Sequence, residues 1–191
     1  MLSYLSLAIS CVLVSNIVLT QFLGICPFLG VSKNKKSALG MGLAVMAVTI
    51  SASIITFGLY KLLLAPLSIE YMQTVVYILV IATLVQFVEM LIKRFFPTLY
   101  EGFGVYLPLI TTNCIVLGVC INVINYNYEF LEMLTYSVSV SLGYMLVLFV
   151  FSAIRTQLDR VNVPKAFKGV PIALIVAACM ALAFNAFNGI I

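Results

Sequence analysis

The chain has 191 residues, of which 64% are hydrophobic and 8% charged, and its mean hydropathy is +1.21. A soluble domain of this size must face water with much of its surface, so this composition excludes a soluble fold and predicts an integral membrane protein. The net charge is +4 and histidine is absent, which excludes haem ligation by histidine, histidine-based zinc sites and histidine proton relays.

Six apolar segments are long enough to cross a bilayer, which takes about 20 residues of helix. They run approximately over Leu5 to Val31, Ala38 to Tyr60, Met72 to Leu91, Phe103 to Ile124, Phe130 to Phe151, and Val170 to Ile191. All are expected to be helical, because only helices satisfy their own backbone groups in lipid and no alternating barrel pattern is present. Polar intervals are short, at most about 15–20 residues, so a single membrane domain over 1–191 is predicted. The first segment lacks the features of a cleaved signal peptide and is expected to be retained.

The first and fourth predicted helices carry interruptions. Near the end of the first lie three residues that disfavour a continuous helix, Gly24, Pro27 and Gly30. In the fourth, Pro108 is followed by the polar run Thr111, Thr112 and Asn113, directly before Cys114. Polar groups at this depth must bond within the protein or line a cavity, so both interruptions are candidate functional positions.

The basic residues predict the orientation. Nine of the ten fall in the loops after the first, third and fifth predicted helices, and Lys61 alone lies on the other side. By the positive-inside rule the nine are cytoplasmic and both termini face outward. Their ordinary role is topological, and binding of acidic partners or lipid head groups is the alternative.

An internal repeat is indicated by a shift of 88 residues (114 − 26), which lays Cys26–Val31 over Cys114–Val119. Both segments read Cys-x-x-Leu-Gly-Val, although these residues are common in membrane helices and chance is the alternative. Repeat 1 would cover about 1–95 and repeat 2 about 96–191. Because each unit holds three helices, the second must be inverted, which brings the interrupted helices together near the middle of the bilayer.

The five cysteines divide into two groups. Cys11, Cys120 and Cys179 are expected to pack as small apolar residues. Cys26 and Cys114 each follow a break, whose free amides can donate to a thiolate or sulfide. A disulfide, a metal and an iron–sulfur cluster remain open for this pair. A [2Fe–2S] cluster takes four thiolates, so it would need two more from a second chain or a second copy.

Other chemistry finds little support in the sequence, which shows no phosphate-binding loop, no activated nucleophile and no nucleic-acid surface. Glu89 is the deepest carboxylate, and its expected role is an i,i+4 pair with Lys93, with a cation or proton site as the alternative. The asparagines of the apolar segments are expected to be helix-contact or helix-end residues: Asn113, Asn122, Asn125 and Asn185.

Four segments carry a resemblance that extends over essentially the whole chain. They are Phe22–Lys33, Gln86–Met90, Leu107–Gly118 and Ala153–Arg155. The chain resembles the A-type membrane subunits of the Rnf ion-translocating electron-transport complexes, and Pro27 after Cys26 favours these over the related E-type subunits of the Na⁺-translocating NADH:quinone reductases.

The resemblance implies a six-helix subunit that pairs with a homologous six-helix E-type subunit of opposite orientation, beside the B, C, D and G subunits. It implies that Cys26 and Cys114 supply two ligands of a [2Fe–2S] cluster shared with that partner, supported by Gly24, Pro27, Gly30, Thr112, Asn113 and Gly118. It further implies FMN, riboflavin and further iron–sulfur clusters on other subunits, and ferredoxin:NAD⁺ oxidoreduction coupled to Na⁺ or H⁺ movement. The chain would not be catalytic alone, and it would lie in a bacterial or archaeal cytoplasmic membrane.

Two other classes of function fit the residues without the resemblance. One is a secondary transporter with inverted repeats and no redox centre, and the other is a passive assembly scaffold. The iron and sulfide content of the purified protein, and the effect of replacing Cys26 or Cys114, distinguish a transporter or a scaffold from an electron carrier.

Overall fold

A computed structural model describes residues 2–31, 35–64, 72–95, 113–158, 164, 167 and 169–186. Its helices are α1 (Leu2–Ile9), which continues as a π-helical segment over Ser10–Val14, α2 (Ile17–Thr20), α3 (Ile25–Val31), α4 (Lys35–Leu59), which continues as a π-helical segment over Tyr60–Leu64, α5 (Gln73–Phe95), α6 (Cys114–Asn125), α7 (Phe130–Leu158) and α8 (Val170–Asn185).

The chain is an all-α membrane protein, and no strand occurs in the described residues. Three helices are long and apolar enough to cross a bilayer: Ala38–Leu62, Gln73–Met90 and Phe130–Leu158. They confirm the second, third and fifth predicted spans. Helices α6 and α8 are apolar but shorter, at 12 and 16 residues. The predicted start of the fourth span, 103–112, lies outside the described residues, so the arrangement as two inverted three-helix repeats stays a prediction.

The core is built around α4 and α7, which pack more extensively against each other than any other pair of described helices. Gly42 allows this approach, since a Cβ atom there would lie 2.6 Å from Met145 Cγ. Helix α6 packs on α4, and α5 packs on both. The segment from α1 to α2 packs on α7, and α8 covers α2. Helices from both halves of the chain therefore pack together in one core.

Most buried serine and threonine hydroxyls in α4 and α7 bond within their own helices. Thr49 donates to the Val45 carbonyl at 2.7 Å, and Ser53 donates to the Thr49 carbonyl at 2.8 Å. In α7, Ser137 donates to the Met133 carbonyl at 2.8 Å. Each of these three hydroxyls is satisfied by a carbonyl four residues earlier in its own helix.

The first predicted helix is interrupted, but not at all of the expected residues. One break falls at Ser15–Asn16 and another at 21–24, and Pro27 and Gly30 lie inside α3. The expectation that Pro27 and Gly30 form the break is wrong. Proline is tolerated at Pro27 because this residue falls in the first turn of α3, where backbone N–H groups have no partner within the helix.

Candidate metal centre

Helix α6 begins at Cys114 because Asn113 caps it. The Asn113 side-chain oxygen accepts a hydrogen bond from the Ile115 amide at 3.2 Å, with Asn113 in an extended conformation (φ −72°, ψ 111°). This is the usual role of asparagine before the first helical turn. It fixes the Cys114 thiol at the N-terminus of the helix, where the helix dipole carries its partial positive charge.

Asn16 forms an equivalent cap on α2. It has nearly the same backbone conformation (φ −65°, ψ 114°), and its side chain accepts from the Val18 amide at 3.2 Å. Its Nδ2 group also donates to the Val12 carbonyl at 3.0 Å, closing the end of the preceding π-helical segment. The sequence reasoning missed this residue. The signal was present, since Asn-Ile-Val-Leu begins at Asn16 and Asn-Cys-Ile-Val-Leu begins at Asn113.

The two cysteine-bearing segments meet at Gly24. The Gly24 amide donates to Cys114 Sγ at 2.8 Å, across 90 residues of sequence. Gly24 has φ +84°, and a Cβ atom there would lie 2.9 Å from Ile115 Cδ1. Both the left-handed backbone and the close approach require glycine. The break before α3 therefore directs a backbone donor at a cysteine sulfur, as the freed-amide argument predicts.

Leu23 and Gly118 make a second contact between the same segments. A Cβ atom on Gly118 would lie 2.6 Å from Leu23 Cδ1. Gly118 is four residues after Cys114, so both lie on one face of α6. The loop before α3 thus rests along that face, with Gly24 at Cys114 and Leu23 at Gly118.

Cys26 lies two residues beyond Gly24, in the first turn of α3, and two residues of chain span at most about 7 Å. Its side chain is exposed on this chain, whereas the Cys114 side chain is half-buried. The structure therefore brings the segments of both cysteines together at a surface that another chain can reach.

The far end of α3 is held by α7. Arg155 Nη1 donates to the Leu29 carbonyl at 2.7 Å, and a cation at a helix C-terminus complements the helix dipole. The Phe28 ring stacks on the Phe151 ring with centroids 4.0 Å apart. Sequence reasoning did not assign these roles, because Arg155 and Leu29 are 126 residues apart.

The family of the chain follows from nearly its whole length. A profile described as "Rnf-Nqr subunit, membrane protein" matches residues 4–191. The chain belongs to the Rnf-Nqr family. It is thus a multi-pass membrane protein of this family, as the resemblance in the two cysteine segments implied.

Individual relatives of this Rnf-Nqr protein cover its full length. The A subunit of the Na⁺-translocating ferredoxin:NAD⁺ oxidoreductase complex of Acetobacterium woodii is 52% identical over 95% of this chain and 94% of its own. The A subunit of the ion-translocating oxidoreductase complex of Aliivibrio salmonicida is 49% identical over 100% and 99%. The protein of the same name from Vibrio cholerae is 47% identical, with the same coverage.

The remaining predicted site residues of this Rnf-Nqr chain lie apart from the cysteine pair or outside the described part. Thr112 lies outside the described residues. Glu89 is half-buried in the last third of α5, four residues before the exposed Lys93, so both roles proposed for it stay predictions. Asn122 makes the expected helix contact, its Nδ2 donating to Tyr136 Oη at 3.2 Å. Asn125 and Asn185 are the last residues of α6 and α8.

The three cysteines expected to be packing residues differ in exposure. Cys11 and Cys120 are buried, as predicted, in the core that surrounds α4 and α7. Cys179 in α8 is exposed on this chain. A small thiol on an apolar helix surface can face lipid or a neighbouring chain at no cost, so its exposure requires no polar partner.

Proposed function

We propose that this chain is the A subunit of an ion-translocating ferredoxin:NAD⁺ oxidoreductase complex. In this proposal it carries electrons across the membrane through a [2Fe–2S] cluster shared with a homologous subunit, and the electron transfer is coupled to Na⁺ or H⁺ movement. Family membership and the full-length relatives support the complex, since both are named for it. The contact between Gly24 and Cys114 is the observation that carries the site.

The contact matters because a thiolate inside a membrane needs compensation for its charge. The Gly24 amide donates directly to Cys114 Sγ, and the capped N-terminus of α6 adds a favourable dipole. Cys26 occupies the first turn of α3, where backbone N–H groups likewise lack partners within the helix. Both cysteines thus lie next to backbone N–H groups, from which a metal-bound sulfur can accept hydrogen bonds.

A bound [2Fe–2S] cluster would supply a one-electron carrier inside the bilayer. The residues of this chain would hold it and keep its surroundings apolar. Cys26 and Cys114 would be the ligands. Gly24 and Asn113 would fix the position of the Cys114 sulfur. Leu23 would pack on α6 at Gly118, next to the site.

The ligand count supports a shared site. Among the described residues, no group of three or more histidine, cysteine, aspartate or glutamate side chains lies close enough to hold a metal ion. Cys26 and Cys114 would therefore leave two thiolate positions to another chain, and the exposed Cys26 side chain makes them reachable. We propose the homologous E-type subunit, inserted in the opposite orientation, as the chain that fills them.

The charged helix ends fit a cytoplasmic side shared by α3, α5 and α7. Arg155 near the end of α7 contacts the end of α3, and Lys93 and Arg94 lie in the last turn of α5. We propose that this side faces the cytoplasm and that both termini lie outside the cell, in a bacterial or archaeal cytoplasmic membrane.

The proposal is tested by purifying the complex with Cys26→Ser, Cys114→Ser and the matched control Cys179→Ser. Cys26 and Cys179 are both exposed on this chain, so the control changes an equally accessible thiol. We expect either ligand variant to lose the intramembrane [2Fe–2S] EPR signal together with about two iron and two sulfide per complex. The control should keep all three. A normal cluster in either ligand variant contradicts the assignment.

The coupling is tested in proteoliposomes that contain the whole complex. Reduced ferredoxin and NAD⁺ drive the reaction while uptake of radioactive Na⁺ is followed with and without a protonophore. Na⁺ uptake that persists or rises with the protonophore identifies Na⁺ as the ion moved directly, whereas acidification of the lumen, followed with a pH-sensitive dye in a parallel sample and abolished by the protonophore, identifies H⁺. No ion movement in either case contradicts the coupling.

A further inference from the structure

Tyr144 lies in the middle of α7, and its side chain packs close to the cysteine site. Its side chain is 0% exposed, and its Cε2 atom would lie 3.2 Å from a Cβ atom on Gly24. The ring therefore packs against the backbone at Gly24, in the loop that precedes α3. Neither the repeat nor the cysteine motifs point to this residue.

The Tyr144 hydroxyl has no hydrogen-bond partner within the described part of the chain, and the same holds for Nδ2 of Asn113. The hydroxyl lies within hydrogen-bonding range of the Asn113 side chain and within electrostatic range of the Cys114 thiol. The hydroxyl proton thus has no acceptor in this part of the chain, and the ring packs on Gly24, whose amide donates to the Cys114 sulfur. Leaving a buried donor unpaired is costly, so such groups normally serve an acceptor that is present in the working state.

The acceptor that fits is electron-rich sulfur. A neutral thiol is a weak acceptor, but a thiolate bound to iron, or a sulfide next to it, is a strong one. We propose that Tyr144 donates a hydrogen bond to the sulfur at Cys114 when the cluster is bound, with Asn113 Nδ2 as a second donor. The inference rests on the proposed function and adds to it a determinant of the cluster's reduction potential.

The direction of the effect follows from charge. Reduction adds an electron to the cluster and makes its sulfurs better acceptors, so a donor stabilises the reduced form more than the oxidised form. Removing the Tyr144 hydroxyl should therefore make the potential more negative. We expect a roughly tenfold change in the reduction equilibrium, which for one electron corresponds to about 59 mV.

The experiment compares Tyr144→Phe with Tyr77→Phe in the purified complex. Tyr77 is a matched control, because it is also 0% exposed and its hydroxyl also lacks a partner among the described residues. It lies in α5 and interacts with Cys120, not with the site cysteines. The midpoint potential of the [2Fe–2S] signal is measured by EPR-monitored redox titration, and iron content and complex assembly are recorded for each variant.

Site-specific replacement of Tyr144 by 3-fluorotyrosine provides a second variant. Fluorine makes the hydroxyl a stronger donor, so the potential should shift to more positive values, opposite to Tyr144→Phe. This variant keeps the hydroxyl and nearly the same volume, so it also tests the inference if Tyr144→Phe fails to assemble.

The outcomes separate the two proposals. Opposite shifts in the two Tyr144 variants, with Tyr77→Phe unchanged, support the hydrogen bond. An intact cluster whose potential moves in neither Tyr144 variant, or moves equally in Tyr77→Phe, overturns this inference and leaves the cluster assignment standing. A wild-type complex without the cluster overturns the proposed function and this inference with it.

Discussion

Replacing Gly24 by alanine should destabilise the chain more than the same replacement at Gly169 or Gly58. Two costs add at this residue. Alanine at φ +84° costs about 1–2 kcal/mol, because its Cβ atom crowds the backbone in the left-handed region. The same Cβ atom would lie 2.9 Å from Ile115 Cδ1 and 3.2 Å from Tyr144 Cε2, and such overpacking costs about 1–3 kcal/mol. The expected total is about 2–5 kcal/mol.

Two other glycines separate these costs. Gly169 also has positive φ (+101°), but nothing lies within 4 Å of its Cβ position, so Gly169→Ala should cost only the backbone share of about 1–2 kcal/mol. Gly58 lies in α4 and has neither a positive φ nor a neighbour within 4 Å. Gly58→Ala should be neutral or stabilise by up to about 1 kcal/mol, because alanine favours helix.

The assay uses a thiol of the chain itself. Accessible thiols, including Cys26 and Cys179, are first blocked with an unlabelled reagent. Cys120 is 1% exposed, so a thiol-reactive dye then labels it only when the core opens, and labelling during a thermal ramp reports unfolding in detergent. The midpoint of thermal unfolding should be highest for Gly58→Ala, lower for Gly169→Ala and lowest for Gly24→Ala. If Gly24→Ala unfolds no earlier than Gly169→Ala, the loop does not pack tightly on Ile115 and Tyr144. If all three variants match the wild type, the backbone argument fails as well.

Two further predictions concern the contacts that hold α3. Arg155→Gln removes the charged hydrogen bond to the Leu29 carbonyl, which is worth about 1.5–3 kcal/mol. Amide hydrogen exchange in α3 should therefore become faster, while exchange in α5 stays unchanged. Equal protection of α3 in the variant and the wild type would refute this role. Phe151→Ala removes the ring stacked on Phe28 and should lower the free energy of unfolding by about 3–5 kcal/mol. The control Phe149→Ala, at an exposed residue of the same helix, should have a much smaller effect in the same dye assay. Similar losses in both variants would contradict this packing.

The sequence predicted three of the spans because a bilayer imposes a simple requirement of length and apolarity. Ala38–Leu62, Gln73–Met90 and Phe130–Leu158 each satisfy it by themselves, with no information about their neighbours. The prediction for Pro27 failed because proline disrupts a helix only beyond the first turn, and the start of α3 is set by the backbone at Gly24 rather than by the proline.

The supporting residues of the site were only partly predictable. Asn113 and Gly24 carry local signals, since asparagine caps helices and glycine permits positive φ. Tyr144 carries no such signal. Its position near Cys114 depends on how α7 packs against α6, and no spacing rule along the chain predicts that packing. The role of Arg155 at the end of α3 likewise depends on tertiary packing.

The contact between Gly24 and Cys114 also has a consequence for biogenesis. Most buried serine and threonine hydroxyls of α4 and α7 are satisfied within their own helices, so these helices can enter the bilayer one at a time. The break before α3 is different, because the Gly24 amide finds its partner on a residue synthesised 90 positions later. Until Cys114 emerges from the ribosome, this amide must be hydrated or held by the insertion machinery. The first half of the chain therefore cannot complete its membrane structure before the second half is made.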